Sequence, residues 1–324
     1  MLNNFFHAVS AFCCRTFPML IALGILIFPS LPCASRAPDA PDRIHFLNVG
    51  IGDAILLESD GHFAMVDAGE DSDNPRGFDW LVYDGHEQEV LQYLKTHAAD
   101  QDGKVHLDFV LGTHAHSDHI GGFDTLILDP DVTIDRAYLK EYDSSKINEH
   151  EIVNWDNQEV YDQMVGALNK RNVPIEKPDS TPFTFGNFTI TLFNTDDPEN
   201  TEPVGENDQS LGMLLEKNGT RIFLTGDMDN LTGDETRLAP QIGKVNLLKF
   251  GHHGYDGSNT DQFIETLHPD ACVTTNTRDF DRRFLFARVI KTCQHKKIYV
   301  TGIENGVLAV IGDQGEISFY GKIQ

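Results

Sequence analysis

Thr113-His114-Ala115-His116-Ser117-Asp118-His119-Ile120-Gly121-Gly122 is the stretch on which the reading of this chain turns. Within it, three imidazoles and one carboxylate fall in six residues. Imidazole is a borderline base that suits zinc, iron or manganese, and carboxylate suits the harder divalent ions. Just before it, Leu107-Asp108-Phe109-Val110-Leu111 reads as a buried strand. Just after it, Gly121-Gly122 permits a sharp turn into a helix. The cluster therefore hangs from a strand end, where chemistry is usually mounted on a rigid scaffold. His114 and His116, two apart in a loop, can converge on one point. Asp118 and His119 are adjacent and would serve a second point nearby. Two metal ions bridged by a water is the layout this spacing predicts.

Working outward, other strand ends offer what the cluster lacks. Asp227 follows the strand-like Phe223-Leu224-Thr225-Gly226, where one carboxylate can bridge two cations. His252-His253 lies between Gly251 and Gly254 after the apolar run Val245 to Phe250. One of that pair would be a ligand and the other free to act as an acid or a phosphate donor. Asp67 and Asp53 close other turns, and there the expectation is loop-holding through backbone hydrogen bonds.

The rest of the chain alternates strands and helices. Residues 43–49, 54–58 and 63–69 read as an antiparallel meander, with Asp60-Gly61 as a hairpin turn. Helices are expected over 87–97, 123–128, 151–171 and 261–267, from apolar spacing and from the stop at Pro174. Strands are expected at 136–139, 183–193 with a Gly-Asn turn, 210–216, 221–224, 245–250, 271–275, 297–300, 306–311 and 316–320. Each half is rich in strands with helices between them. Two sheets face to face with helices outside would bury these apolar runs.

The chain has 324 residues and a formal net charge of −25. No basic stripe is visible, which argues against non-specific nucleic-acid binding by the surface. A polyanionic substrate would depend on bound metal for attraction. Residues 1–37 read as a secretory signal: Arg15, an apolar run from Met19 to Phe28, then Pro29, Pro32 and small residues, with cleavage after Ala34 or Ala37. The run is short for a membrane span, so no stable span is expected after cleavage. An uncleaved N-terminal anchor is the alternative. Residues 38–324 are then one domain. Of five cysteines, Cys272 and Cys293 remain outside the leader, either as one disulfide or as two buried thiols.

The ordered set of motifs resembles the metallo-β-lactamase fold superfamily, which carries His-x-His-x-Asp-His. It is most similar to the metallohydrolase domain of the competence protein ComEC and its free-standing secreted relatives. The pieces that carry the resemblance are Phe46 to Ala54, Val66 to Gly69, Thr113 to Gly122, Asn207 to Leu211, Phe223 to Asp227 and Leu248 to Gly254. The resemblance implies an α/β fold of the αββα four-layer type. It implies His114 and His116 on one metal, Asp118 and His119 on the other, and Asp227 between them. His253 would complete the first site and His252 would face the substrate, with the reverse assignment of the pair left open. Asn48 stands where the family usually has Asp. The family's late Tyr-Gly-His-Pro run is absent from Asn276 to Phe284. That departure leaves the second metal short of a ligand. His268 and His295 are poor substitutes, and Arg282 or Arg283 could instead meet an anion.

The expected function is an exported hydrolase using one or two divalent ions, zinc first and manganese second. The resemblance tilts the substrate toward phosphodiesters, small or flexible ones before long duplex. Asp118 would orient the attacking hydroxide, and His252 would donate to the leaving oxygen or oxyanion. Two alternatives stand beside it: acyl or lactam hydrolysis at the same centre, and a metal-poor binding protein.

Overall fold

The computed structural model describes residues 41–72, 84–196, 203–255, 257–277, 293 and 296–324. Its strands are β1 (Asp42–Phe46), β2 (Ala54–Ser59), β3 (His62–Ala68), β4 (Val105–Leu107), β5 (Phe109–Leu111), β6 (Val132–Ile134), β7 (Ala137–Tyr138), β8 (Ile175–Glu176) and β9 (Phe183–Phe185). They continue as β10 (Phe188–Phe193), β11 (Gly212–Lys217), β12 (Thr220–Leu224), β13 (Leu247–Lys249), β14 (Ala271–Thr274), β15 (Lys297–Val300), β16 (Val307–Ile311) and β17 (Ile317–Gly321). The principal helices are α1 (Glu87–His97), α2 (Ser117–Ile120), α3 (Phe123–Leu128), α4 (Glu149–Asn154), α5 (Asn157–Arg171), α6 (Asp234–Ile242) and α7 (Asp261–Leu267).

The strands form two large sheets, in the order β17-β16-β1-β2-β3-β5-β7-β8 and β15-β14-β13-β12-β11-β10-β9. Alternation along each strand sorts the apolar residues onto two faces. Ile55, Leu57, Ala64 and Val66 of the first sheet meet Ile190, Met213, Ile222, Leu224 and Leu247 of the second. The opposite face of the first sheet, Leu56, Met65 and Val110, packs on Val90 and Leu94 of α1, Phe123 of α3 and Met164 and Leu168 of α5. The opposite face of the second, Leu214, Phe223 and Leu248, packs on Leu238 and Ile242 of α6 and Phe263 and Leu267 of α7. The result is the four-layer αββα sandwich of the metallo-β-lactamase type, and burial on both sheet faces is what makes the strands nearly continuous in apolar residues.

The expected meander is present: β1 pairs antiparallel with β2, and β2 with β3. Helices 87–97, 123–128 and 261–267 have the expected bounds. The strand expected over 107–111 is broken at Asp108. Its backbone NH bonds Phe63 O at 2.8 Å, while β4 pairs with β6 and β5 with β3 and β7. The chain thus changes sheets at that residue. The single helix expected over 151–171 is two, α4 and α5, separated by Trp155 in extended backbone. Helix α6 was not expected, and Pro240 inside it explains why the pattern hid it. Both Cys272 and Cys293 are buried free thiols. The segment read as a secretory signal, residues 1–37, lies outside the described residues.

Strand direction fixes where the chemistry gathers. β3 and β5 are parallel, so Asp67 and the His114–His119 stretch emerge at the same edge. β12, β13 and β14 are parallel too, which brings Asp227, His252-His253 and Thr275 to one edge of the second sheet. Leu211 NH bonds Thr113 O at 2.9 Å and joins the two edges.

Candidate metal centre

Asp118, His119, Asp227 and His253 each offer one ligand atom, and these four atoms lie within 4.8 Å of one another. His119 Nε2 is 3.1 Å from Asp227 Oδ1 and 3.3 Å from His253 Nε2. His253 Nε2 is 3.1 Å from both Asp118 Oδ2 and Asp227 Oδ2. All four residues are buried. Two imidazoles and two carboxylates facing one point are a ligand set for a divalent ion of borderline hardness. Asp227 Oδ1, fully buried, accepts no hydrogen bond among the described residues, as expected of an oxygen arranged for a cation. The residues present therefore fit a metal ion.

Local backbone explains the convergence. Helix α2 begins at Ser117, so Asp118 and His119 project from its first turn rather than from a loop. Gly121 and Gly122 have ordinary right-handed φ values of −55° and −72°, so they do not make the sharp turn expected of them. They are small because a Cβ on Gly122 would lie 2.6 Å from Ala68 O, and one on Gly121 2.5 Å from Ser117 O. Close backbone packing, of Gly122 against the end of β3 and of Gly121 against Ser117 and Asp71, is the reason for the pair. At the other edge, His252 and His253 both hold left-handed backbone, with φ of 49° and 48°. Two consecutive non-glycine residues in that region are strained, and such strain is typical of functional sites. It turns His253 inward to 1% exposure and leaves His252 half-buried beside Tyr255, with ring centroids 5.5 Å apart.

His253 thus joins Asp118 and His119, not His114 and His116 as the resemblance implied. β13 lies parallel to β12, so the histidine pair emerges alongside Asp227 and reaches the Asp118–His119 turn. His253 therefore stands where it could supply the donor that the absent late histidine would have given that group. His114 and His116 form a separate pair, with Nε2 of the first 3.0 Å from Nδ1 of the second. His268 sits exposed at the end of α7, while His295, Arg282 and Arg283 lie outside the described residues.

Behind the cluster is an outer layer of carboxylates. Asp67, itself at φ 55°, takes His119 Nδ1 at 2.7 Å, Thr113 NH at 2.8 Å and Thr113 Oγ1 at 2.7 Å. This is the loop-holding role expected of it, extended to the histidine. Asp53 accepts Thr275 Oγ1 at 2.5 Å, and that hydroxyl is 3.1 Å from His253 Nδ1. Carboxylates behind the ligating imidazoles fix ring orientation and tautomer. Asn48 donates to Asn305 Oδ1 at 3.1 Å, a supporting contact away from the cluster.

Three groups escaped the sequence reading, Lys249 and Glu206 buried and Glu151 half-buried. Lys249, fully buried at the end of β13, pairs with Asp53 and donates to Gly226 O at 2.9 Å, with Asp227 Oδ1 3.6 Å away. Glu151 Oε2 is 3.2 Å from His116 Nε2. Glu206 Oε1 accepts the Ala115 NH at 2.8 Å. A lysine closing an apolar strand was the one available signal. The glutamates had none, because their partners are distant in sequence.

Burial alone would push His119 down, but Asp227 and Asp67 override it and raise it to about 10. Asp227 is held well below the usual carboxylate range, burial notwithstanding, by His119 and His253. Burial pushes His252 down to about 4. Burial lifts Glu206 to about 7.

A beta-lactamase superfamily domain model matches residues 65–260, more than half of the chain, so the chain belongs to that family. Members with the metallo-β-lactamase fold are metal-dependent hydrolases, and this chain carries a histidine–aspartate cluster able to take a divalent ion. Its relatives include ComE operon protein 3 of Bacillus subtilis, 26% identical over 202 residues, or 61% of this chain and 24% of that protein. Recombination protein 2 of Haemophilus influenzae is 22% identical over 302 residues, 93% of this chain and 31% of that protein. The chain therefore spans a quarter to a third of the length of these relatives. Among solved structures, the metallo-beta-lactamase fold protein YhfI of Bacillus subtilis aligns with a TM-score of 0.47 and 14% identity, over 81% of this chain and 97% of that one. The short form of human tRNase Z aligns with a TM-score of 0.43 and 14% identity, over 80% of this chain and 95% of that one.

Proposed function

We propose that the chain is an exported metal-dependent phosphodiesterase acting on small or flexible phosphodiesters, nucleic-acid strands among them. The observation that carries this reading is the four-donor cluster of Asp118, His119, Asp227 and His253. The ion it would hold, zinc or manganese, supplies acidification of water toward neutrality and stabilisation of developing negative charge. The chain's own residues do the rest. Asp118, the most exposed of the four donors, would orient the attacking water. Asp227, buried between His119 and His253, would hold the ion together with them. His252 stands next to the cluster and, being neutral at pH 7, offers an N–H hydrogen bond to the leaving oxygen or the oxyanion rather than a full positive charge.

The phosphodiester choice is supported by the relatives, one of which is a recombination protein, and by charge. With a net charge of −25 a polyanion gains little from the surface, and the cluster is where it can be held. Export is supported by the apolar run at Met19 to Phe28; among the described residues no helix is long and apolar enough to cross a membrane. Hydrolysis of bis-p-nitrophenyl phosphate with added manganese or zinc, lost on His253→Ala, is the expected result. Absence of turnover, or turnover unchanged in that variant, removes the claim. Nitrocefin turnover in its place would establish the acyl or lactam reading. Metal content well below one ion per chain that reconstitution cannot raise would favour the binding-protein reading, against which the complete donor set stands.

A further inference from the structure

Glu151 sits at the third position of α4, whose cap is Asn148. An Asn and a Glu three residues apart ordinarily read as a capping box, with the Glu side chain returned to the cap's own backbone NH. Here that NH is taken by Val204 O at 2.8 Å, and the carboxylate goes elsewhere. Oε2 lies 3.2 Å from His116 Nε2 and accepts Glu206 NH at 3.0 Å. Oε1 accepts Asn148 Nδ2 at 3.2 Å. Glu206 then returns its own carboxylate to Ala115 NH, the residue before His116. The two glutamates thus bracket Ala115 and His116, one on the backbone and one on the ring. Gly205 completes the fit, since a Cβ there would lie 2.7 Å from Glu151 Oε1.

The consequence concerns which nitrogen His116 can offer. With Nε2 held by a carboxylate, only Nδ1 is available, and Nδ1 is the atom that faces His114 Nε2 at 3.0 Å. His114 Nδ1 is in turn 3.1 Å from Thr113 Oγ1. Both rings are therefore fixed from behind with one nitrogen each turned to a common point. No third His, Cys, Asp or Glu among the described residues joins them at the spacing seen in the four-donor cluster. A pair of imidazoles alone is a weak site, and a carboxylate behind one of them both orients it and strengthens it as a donor.

We propose that Glu151, seated by Gly205 and Glu206, is the positioning residue that makes His114 and His116 a usable second metal position in place of a third histidine. This rests on the metal-binding part of the function proposed above, not on the substrate. The test is titration of chelator-stripped protein with cobalt, read by calorimetry and by the visible absorption of the ion. The wild-type chain shows a tight step and a weaker one. Glu151→Gln, which keeps the shape and removes the charge and one acceptor oxygen, weakens the second step about 10- to 100-fold and leaves the first unchanged. Gly205→Ala, which displaces the carboxylate without removing it, shifts the same step in the same direction. His116→Ala abolishes that step. Persistence of the tight step reports that each variant is folded. Two unchanged steps in Glu151→Gln, equal weakening of both, or a wild-type chain that takes only one ion would each overturn the proposal. Loss of the phosphodiesterase reading would instead show as two intact metal steps without turnover.

Discussion

The four-donor cluster and the His114–His116 pair sit side by side yet are built differently. The cluster draws its ligands from three separate chain segments, and every one is buried. Behind it stand Asp67, Asp53 and the fully buried Lys249. The pair comes from one segment, its second ring is only half-buried, and its main support is a single glutamate from α4. The difference teaches that in this fold metal affinity is set as much by what stands behind a histidine as by the histidine itself. A closed, charge-balanced cluster should be rigid and tight, and the pair adjustable and weak.

The largest blow should fall on Asp227, the carboxylate within reach of both imidazoles of the cluster. Asp227→Asn keeps the volume and removes the charge. Turnover should drop by about 10³-fold, the scale of losing one preorganised electrostatic group, with the tight metal step lost as well. Steady-state kinetics and metal titration of the same sample check this, and retention of the tight step would show that Asp227 is not central. Next comes Lys249→Met, which strands the Asp53 carboxylate in a fully buried place. The destabilisation should be about 3–5 kcal/mol by denaturant unfolding, and adding Asp53→Asn should recover much of it. A mild effect from the single change would mean that the balance of charge behind the cluster is unimportant.

Asp67→Asn should be more modest. It weakens the tight step about 10- to 100-fold while sparing the weaker one, the mirror image of Glu151→Gln. Equal effects on both steps would erase the distinction between the two regions. The pH dependence of the metal-free protein offers a separate check. His119 is raised to about 10 by its carboxylates, above an unfolded value near 6.5, so its contribution is fully present below about pH 6.5 and fades as pH rises through about 10. His114 goes the other way, since burial first and then His119 push it well below its usual value. Its contribution is lost in acid instead. Thermal melts of chelator-treated protein should fall between pH 7 and 10, and His119→Gln should flatten that decline. An unchanged slope in the variant would assign the decline elsewhere.

How much of this was readable from residues alone depends on range. The His114–His119 stretch announces itself because its donors are consecutive in sequence. Helices 87–97 and 261–267 follow from local apolar spacing, and the sandwich from runs buried on both faces. Beyond that, local pattern fails for definite reasons. His252 and His253 have identical flanks, and only the left-handed backbone decides which turns inward. Gly121-Gly122 looks like a turn signal but serves close backbone packing, Gly122 against Ala68 and Gly121 against Ser117 and Asp71. Glu151 looks like a capping residue, and its link to His116 crosses 35 positions of chain. Lys249 reaches Asp53 across an even longer separation and declares itself only as a cation in an apolar strand. The break at Trp155 could not be foreseen either, because Glu151 on one side and Asn157 on the other are joined by a 3.3 Å contact that spacing does not reveal.

Anomalous diffraction from crystals grown with zinc or manganese puts the account to its most direct trial. The account predicts a strong peak enclosed by Asp118, His119, Asp227 and His253, with a second, weaker one facing His114 Nε2 and His116 Nδ1. A peak confined to the His114–His116 pair, or none between the four donors at saturating metal, would contradict it.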